Sequence, residues 1–195
     1  MKKNRVYRVL VAIVGAICRV IYPMRCSGRE NIPEGPAIVC ATHSNYIDPI
    51  LMAIAFGGND QIHFMGKVEL FKIPLLRGLM RALGAFPVDR GGNDVTSIKT
   101  TMRYLKEGEK VGIFPEGTRV GEDESADAKT GAIRLASKMK VPVVPVYLSR
   151  NKVIFRKLDL IIGEPYYITG EKRGEFEMLS QELMGKIYEL RDMQK

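Results

Sequence analysis

His43 and Asp48 are the residues of this chain best suited to acid–base chemistry, and four residues separate them. The apolar run 37–40 predicts a buried strand before them, and Asp48-Pro49 predicts a helix start with Asp48 as N-cap and Pro49 at the first helical position. The loop after a strand's carboxyl end is where α/β sheets bind their ligands. A histidine held by a carboxylate is a general base with one defined tautomer. The alternative is that Asp48 only caps its helix and His43 is an ordinary loop residue.

A second segment offers the groups that bind a phosphate. The apolar residues 111–114 predict another short strand, and the following residues 115–119 contain Pro and Gly and predict a loop. In that loop Arg119 offers a bidentate, charge-assisted contact, Gly117 lets the main chain approach an anion closely, and Thr118 adds a hydroxyl. A base after one strand and an anion site after another predict a reaction on a phosphorylated substrate.

The elements that must position these loops alternate between strand and helix. Periodicity and turn residues predict strands at 36–41, 61–66, 85–88, 111–114, 142–148 and 160–162, and helices at 5–22, 48–56, 74–83, 94–107, 127–139 and 175–193. The alternation favours a single α/β domain in which helices flank a largely parallel central sheet. His63, between Ile62 and Phe64, is interpreted as a strand residue and not as a second base.

Composition limits the class of protein and of partner. A chain of 195 residues that is 46% hydrophobic is long enough for one domain with a proper core. Its formal net charge of +8 favours anionic partners. Three cysteines without C-x-x-C spacing argue against a disulfide framework or a zinc site and favour a reducing cytosol. We find no metal-ligand cluster and none of the GxSxG, P-loop or GxGxxG patterns, so neither a metal nor a bound cofactor is expected.

The amino-terminal segment predicts a helix at a membrane interface. Its apolar run 9–18 lies between Arg8 and Arg19 and is shorter than the roughly 20 residues that a transmembrane helix needs. On a helical projection Arg5, Arg8 and Arg19 form a narrow cationic stripe, and apolar side chains cover the opposite side. Such a helix lies in the interface with its basic side toward anionic lipid.

Two other interpretations of this segment compete. It could be a signal peptide, although Arg19 interrupts the run and no clean small-x-small cleavage site follows. It could also be a core helix that the domain covers. The interfacial interpretation divides the chain into a membrane-associating helix over 1–24 and one domain over 25–195.

Four short segments carry motifs in a fixed order: His43 to Asp48, Gly84-Ala-Phe-Pro-Val-Asp-Arg90, Phe114-Pro-Glu-Gly-Thr-Arg119 and Val141-Pro-Val-Val-Pro-Val146. Together they resemble the glycerolipid acyltransferase family, of which 1-acylglycerol-3-phosphate acyltransferase is the typical member. The match spans about residues 29 to 148. One departure is Thr42, where the family commonly has Asn.

The resemblance implies transfer of a fatty acyl group from an acyl thioester to the free hydroxyl of 1-acylglycerol 3-phosphate (lysophosphatidic acid), which gives phosphatidic acid. His43 would take the proton from the acceptor hydroxyl, and Asp48 would orient the imidazole. The substrate hydroxyl is then the nucleophile, and Ser44 is expected only to hydrogen-bond within its loop. Acyl carrier protein or coenzyme A would deliver the acyl group as co-substrate. The expected location is the cytoplasmic face of the cell membrane, as a peripheral or monotopic protein.

The acceptor phosphate is expected at Arg119, with Gly117 and Thr118 as further donors. Glu116 would either bind the glycerol or hold Arg119 in place. Lys67 and Arg90 are further phosphate ligands that the resemblance implies, because it puts them near the site.

Two rival functions remain open. A non-enzymatic binder of anionic lipid or nucleic acid would use the +8 charge, but it would need no paired base and carboxylate; nucleic acid is not expected as a partner. An acyltransferase for another acceptor, such as glycerol 3-phosphate or another lysophospholipid, would share every motif. Oligomeric state and acyl-chain length cannot be read from the sequence.

Overall fold

The computed structural model describes residues 5–88, 95–121, 127–169 and 173–192, with the side chains of Leu75 and Arg173 excepted. Within these ranges the helices are α1 Arg5–Ile21, α2 Asp48–Phe56, α3 Pro74–Ala82, α4 Val95–Lys106, α5 Gly131–Met139 and α6 Arg173–Asp192. The strands are β1 Met24–Ser27, β2 Ala37–Ala41, β3 Ile62–Lys67, β4 Phe86–Val88, β5 Lys110–Ile113, β6 Val143–Leu148 and β7 Leu158–Ile162. Short 3-10 helices cover Arg29–Asn31 and Val68–Lys72.

The strands form one mostly parallel sheet in the order β1-β7-β6-β2-β5-β3-β4. β7 runs antiparallel to β6, and β1 pairs with β7 in parallel. The predicted α/β class with a largely parallel sheet is therefore confirmed. β2 lies between β5 and β6 and is parallel to both, so the chain leaves all three strands at the same edge of the sheet. That edge brings together the loops that begin at residues 42, 114 and 149.

Each face of the sheet has its own apolar core. One core packs α2 and part of α1 against the sheet, and it includes Leu51, Met52 and Cys18. The other packs α4, α5 and α6 against the opposite face, and it includes Leu105, Ile133 and Leu183. All five residues of β2 are buried because the strand is covered on both faces.

α1 has three faces. The face toward the domain buries Tyr7, Val11, Gly15 and Cys18. Five exposed side chains form what we call the apolar stripe: Val6, Val9, Ile13, Ile17 and Val20. Arg5, Arg8 and Arg19 are exposed and lie to one side of this stripe. The core-helix interpretation therefore holds for one face, while the exposed apolar and basic faces agree with the interfacial one. No helix among the described residues is long and apolar enough to cross a membrane.

Three sequence predictions need correction. The edge strand β1 was missed, although all four of its residues pair with β7. α5 begins at Gly131 and not at residue 127. Asp48 is the first residue of α2 and Ile47 is the N-cap, so the carboxylate does not cap the helix.

Candidate active site

The predicted base and its carboxylate are in direct contact. His43 Nδ1 lies 2.9 Å from Asp48 Oδ2, and the same oxygen accepts the Ser44 and Asn45 amide N–H groups at 2.7 and 2.8 Å. Asp48 is completely buried. Burial alone raises the pKa of its carboxyl, but the hydrogen bond from His43 and the charge of Lys152 outweigh burial, so the pKa lies below its ordinary value. An ionised carboxylate only accepts hydrogen bonds, so Nδ1 carries a proton, and in the neutral imidazole the basic lone pair is on Nε2.

Sequence reasoning missed Lys152, which binds the other oxygen of Asp48. Its Nζ lies 2.8 Å from Asp48 Oδ1, and it also donates to Ser44 Oγ at 2.7 Å and Ser149 O at 2.6 Å. Only 2% of the Lys152 side chain is exposed. Burial lowers the pKa of the ammonium, and the charge of Asp48 opposes that shift. Lys152 thus supplies the counter-charge that a fully buried carboxylate requires.

Glu116 holds the backbone of His43. Its Oε2 accepts the His43 amide N–H at 2.8 Å, and its Oε1 pairs with the guanidinium of Arg150. Arg150 also donates to Tyr188 Oη at 2.7 Å. Burial raises the pKa of Glu116, and the His43 amide and the charge of Arg150 oppose the rise. The expectation that Glu116 holds Arg119 is therefore corrected, because its ionic partner in the structure is Arg150.

The Ser44 hydroxyl is engaged within the loop, as expected: it donates to Arg150 O at 2.9 Å and accepts from Lys152. Thr42, which departs from the family pattern, donates its hydroxyl to Leu148 O at 2.8 Å and accepts the Leu148 N–H at 3.1 Å. These bonds attach the start of the His43 loop to the end of β6.

The Pro-Gly loop brings the predicted phosphate groups to the same edge. The Val120 amide donates to His43 O at 2.8 Å, which fixes residues 114–121 beside the base. Arg119 is exposed, and its guanidinium lies 3.7 Å from the centroid of the Tyr46 ring. Gly117 adopts a φ of 67°, a left-handed conformation that favours glycine.

The remaining predicted phosphate ligands differ in position. Thr118 is exposed in the same loop as Arg119. Lys67 ends β3, and its side chain is exposed at the carboxyl edge of the sheet. Arg90 lies outside the described residues. Sequence reasoning missed Lys129, whose side chain packs so close to Gly117 that a Cβ there would lie 2.6 Å from Lys129 Cε.

An apolar cavity of about 250 Å³ lies next to α2, the helix that begins with Asp48, since Pro49 and Ile50 are in its wall. Its wall comes from α2, β3, the 3-10 helix Val68–Lys72, α3 and the residues that flank α2 and α3. The lining residues are Tyr46, Pro49, Ile50, Ala53, Phe64, Leu70, Leu76, Leu79, Met80, Leu83 and Ala85. The Phe114 ring stacks on His43 at 4.1 Å between centroids and lies 5.9 Å from the Phe64 ring. The cavity was not predicted, because its residues share no local motif.

His63 is a residue of β3, as predicted, and it is not part of the candidate active site. Its Nδ1 is 3.0 Å from Gly84 O, and its ring stacks on Tyr104 at 3.7 Å. Burial lowers the pKa of His63 to about 4, so the ring is neutral at physiological pH. Across the described residues, no three His, Cys, Asp or Glu side chains form a group that could hold a metal ion.

Comparisons with known proteins identify the family. Residues 23–149 match the acyltransferase family. The 1-acyl-sn-glycerol-3-phosphate acyltransferase of Bacillus subtilis is 42% identical over 145 residues, which are 71% of each chain. The chloroplastic 1-acyl-sn-glycerol-3-phosphate acyltransferase LPAT1 of Arabidopsis thaliana is 33% identical over 88% of this chain, and the match spans only 50% of that longer protein.

A solved structure shares the fold. The crystal structure of the 1-acyl-sn-glycerophosphate acyltransferase PlsC from Thermotoga maritima superposes with a TM-score of 0.73 over 96% of this chain and 79% of that one. Its sequence is 24% identical, so the likeness is one of architecture.

The ion pair between Lys152 and Asp48 gives the first prediction. Lys152→Met leaves a buried carboxylate without its cation, and we expect the free energy of unfolding to fall by about 3–5 kcal/mol in chemical denaturation. The double variant Lys152→Met/Asp48→Asn removes both charges and should recover a large part of that loss. Lys99→Met, at an exposed position on α4, is the control and should leave stability unchanged. If Lys152→Met and the control have equal free energies of unfolding, the ion pair does not stabilise the fold.

Proposed function

This chain belongs to the acyltransferase family, and from that premise we propose that it transfers a fatty acyl group from an acyl thioester to the free hydroxyl of 1-acylglycerol 3-phosphate. The product is phosphatidic acid. The observation that carries the proposal is the His43–Asp48 contact of 2.9 Å beside an apolar cavity and an exposed arginine. The activity after which the relatives are named supports the choice of acceptor.

Proton transfer begins the reaction. His43 Nε2 takes the proton of the acceptor hydroxyl as its oxygen attacks the thioester carbonyl carbon, and a tetrahedral oxyanion forms. The oxyanion collapses, the carbon–sulfur bond breaks, and the imidazolium returns its proton to the departing thiolate. Asp48 stabilises the imidazolium in between. The substrate hydroxyl is the nucleophile, so no enzyme serine is acylated.

The apolar cavity suits an acyl chain. Its lining is almost entirely hydrocarbon and it begins at Phe64, which the Phe114 ring joins to His43. A chain seated there would leave its carbonyl or glycerol end toward the base. This placement also keeps water away from the thioester carbonyl, which limits hydrolysis.

The acceptor phosphate binds at the exposed end of the Pro-Gly loop. Arg119 supplies a bidentate cation, and stacking on Tyr46 limits its conformations. Thr118 and the Gly117 backbone add donors, and Lys129 adds charge next to Gly117. Lys67 is a further exposed cation at the same edge of the sheet, and the family resemblance also implies Arg90 as a ligand. Either acyl carrier protein or a coenzyme A thioester serves as donor, since both are anionic and the chain carries +8.

The enzyme works at the cytoplasmic face of the membrane, where its amphiphilic acceptor is held. The apolar stripe of α1 enters the acyl-chain boundary, and Arg5, Arg8 and Arg19 bind phosphate head groups, each worth about 1 kcal/mol on an anionic surface. α1 covers part of the core on its other side, so it is a built-in part of the domain as well as its anchor.

The second prediction tests the base. His43→Ala should lower turnover by about 10²- to 10⁴-fold, the usual span for a positioned general base, with an unchanged melting temperature. Asp48→Asn/Lys152→Met should be folded and equally impaired, because it lacks the charge that stabilises the imidazolium. Acyl transfer from a labelled thioester measures both. Near-normal turnover of His43→Ala would refute the mechanism.

The third prediction tests the acceptor site. Arg119→Lys keeps the charge but loses the bidentate fork, so the KM for lysophosphatidic acid should rise more than the KM for the acyl thioester. Arg103→Lys, exposed on α4, is the matched control and should change neither KM. A panel that also contains glycerol 3-phosphate and neutral lysolipids identifies the acceptor. Equal changes in both KM values for Arg119→Lys would move the phosphate site elsewhere.

The fourth prediction tests the anchor without removing buried residues such as Tyr7. Ile13→Gln/Ile17→Gln replaces two exposed members of the apolar stripe and should release the protein from anionic vesicles in a sedimentation assay. Activity on bilayer-embedded acceptor should fall more than activity on a soluble short-chain acceptor. The control Ile98→Gln/Met178→Gln changes exposed residues on α4 and α6, on the opposite face of the sheet, and should still bind. Unchanged pelleting of the α1 variant would mean that another surface is the anchor.

A further inference from the structure

The β6–β7 loop, residues 149–157, presents three consecutive apolar side chains to solvent. Val153, Ile154 and Phe155 are all exposed, with 54% of Ile154 and 71% of Phe155 accessible. Arg156 and Lys157 follow and are also exposed. An apolar tip followed at once by two cations has the composition that favours the boundary between acyl chains and phosphate head groups.

The tip is held in place on both sides. The Phe155 amide donates to Ile21 O at 2.7 Å, and the Leu158 amide donates to Pro23 O at 3.0 Å. Ile21 ends α1, so its carbonyl has no partner within the helix and the loop supplies one. Phe155 has a φ of 63°, a left-handed conformation that is costly for an aromatic residue. The hydrogen bond to Ile21 O holds this conformation, and non-glycine residues in left-handed conformations concentrate at functional sites.

The loop tip continues the apolar stripe of α1. Val20, the last residue of the stripe, immediately precedes Ile21, whose carbonyl accepts the Phe155 amide. Arg19 adds a cation at the same end of the helix. Exposed apolar side chains therefore lie on both segments that this hydrogen bond joins, and basic side chains accompany both.

We propose that residues 153–157 form a second membrane contact, in which Ile154 and Phe155 enter the acyl-chain boundary and Arg156 and Lys157 bind anionic head groups. The proposal rests on the anchoring of α1 that is part of the proposed function. Its consequence concerns the site: Lys152 directly precedes the tip and binds Asp48. The loop would thereby fix the distance between the membrane surface and the catalytic carboxylate.

A single fluorescent reporter tests the insertion. The chain contains no tryptophan, so F155W has a single tryptophan, at the loop tip, and it can be excited selectively beside the 8 tyrosines. On addition of anionic vesicles its emission should shift to the blue, and brominated lipids should quench it. The control M178W places the fluorophore at a residue with 63% exposure on α6 and should show neither change. A third protein, I13W, reports on the apolar stripe in the same assay.

A second measurement compares vesicle affinity. Ile154→Ser/Phe155→Asn should bind anionic vesicles at least about tenfold more weakly, since it removes two large apolar groups. Asn tolerates the left-handed conformation, so the backbone of the loop should be kept. Arg156→Gln/Lys157→Gln should weaken binding to anionic vesicles more than to zwitterionic ones.

The outcomes separate this proposal from the anchoring of α1. If I13W shifts and the protein pellets while F155W does not change, the anchor stands and the loop is not a membrane contact. If neither I13W nor F155W responds, both ideas fail together. Two further results would also overturn the proposal: an F155W shift that grows with protein concentration without vesicles, alongside dimers in sedimentation, or a shift produced by acyl carrier protein and not by vesicles.

Discussion

The active site depends on how the fold neutralises one buried carboxylate. Asp48 is completely buried, and an isolated charge in that position would be neutralised by protonation. The imidazole and two amides of its own loop bind one oxygen, and Lys152 binds the other. Lys152 comes from the loop after β6, so the pairing of β2 with β6 brings this counter-charge to the carboxylate. The parallel pairing of β2 and β6 therefore does more than build the core. It also helps to keep Asp48 ionised, and the ionised carboxylate selects the tautomer of His43.

A second ion pair acts on the same loop from the other side. Glu116, after β5, accepts the His43 amide and is held by Arg150, after β6. Both cations therefore follow β6, while the two carboxylates follow β2 and β5. One pair acts on the carboxylate that binds the imidazole, and the other acts on the backbone of His43. Together with the 2.8 Å bond from the Val120 amide to His43 O, they leave the base little freedom to move. A general base that is fixed before substrate binds needs less reorganisation during proton transfer.

The sequence predicted those parts of the fold and the site that short, local sequence patterns determine. His43, Asp48 and residues 114–119 belong to short motifs next to apolar runs, and the main strands and helices follow from periodicity. Lys152 and Arg150 act at sequence separations of 108 from Ser44 and 34 from Glu116, so no window of the sequence shows their roles. β1 is four residues long and lies at the edge of the sheet, where its pairing with β7 decides its structure. The apolar cavity draws on α2, β3 and α3, so only the tertiary structure reveals it.

The charge balance of the site explains how ionic groups can lie beside an apolar cavity. At rest, Asp48 is balanced by Lys152 and Glu116 by Arg150, and His43 with a proton only on Nδ1 is neutral. These four buried or half-buried charges thus sum to zero. Their pairing limits the desolvation free energy that they would cost when a bound acyl chain lowers the local dielectric constant. Transfer of a proton to Nε2 then creates one imidazolium and one oxyanion next to each other, so the net charge stays constant through the step. Lys152 is part of this balance, because it offsets the charge of a fully buried Asp48 while the imidazole is neutral.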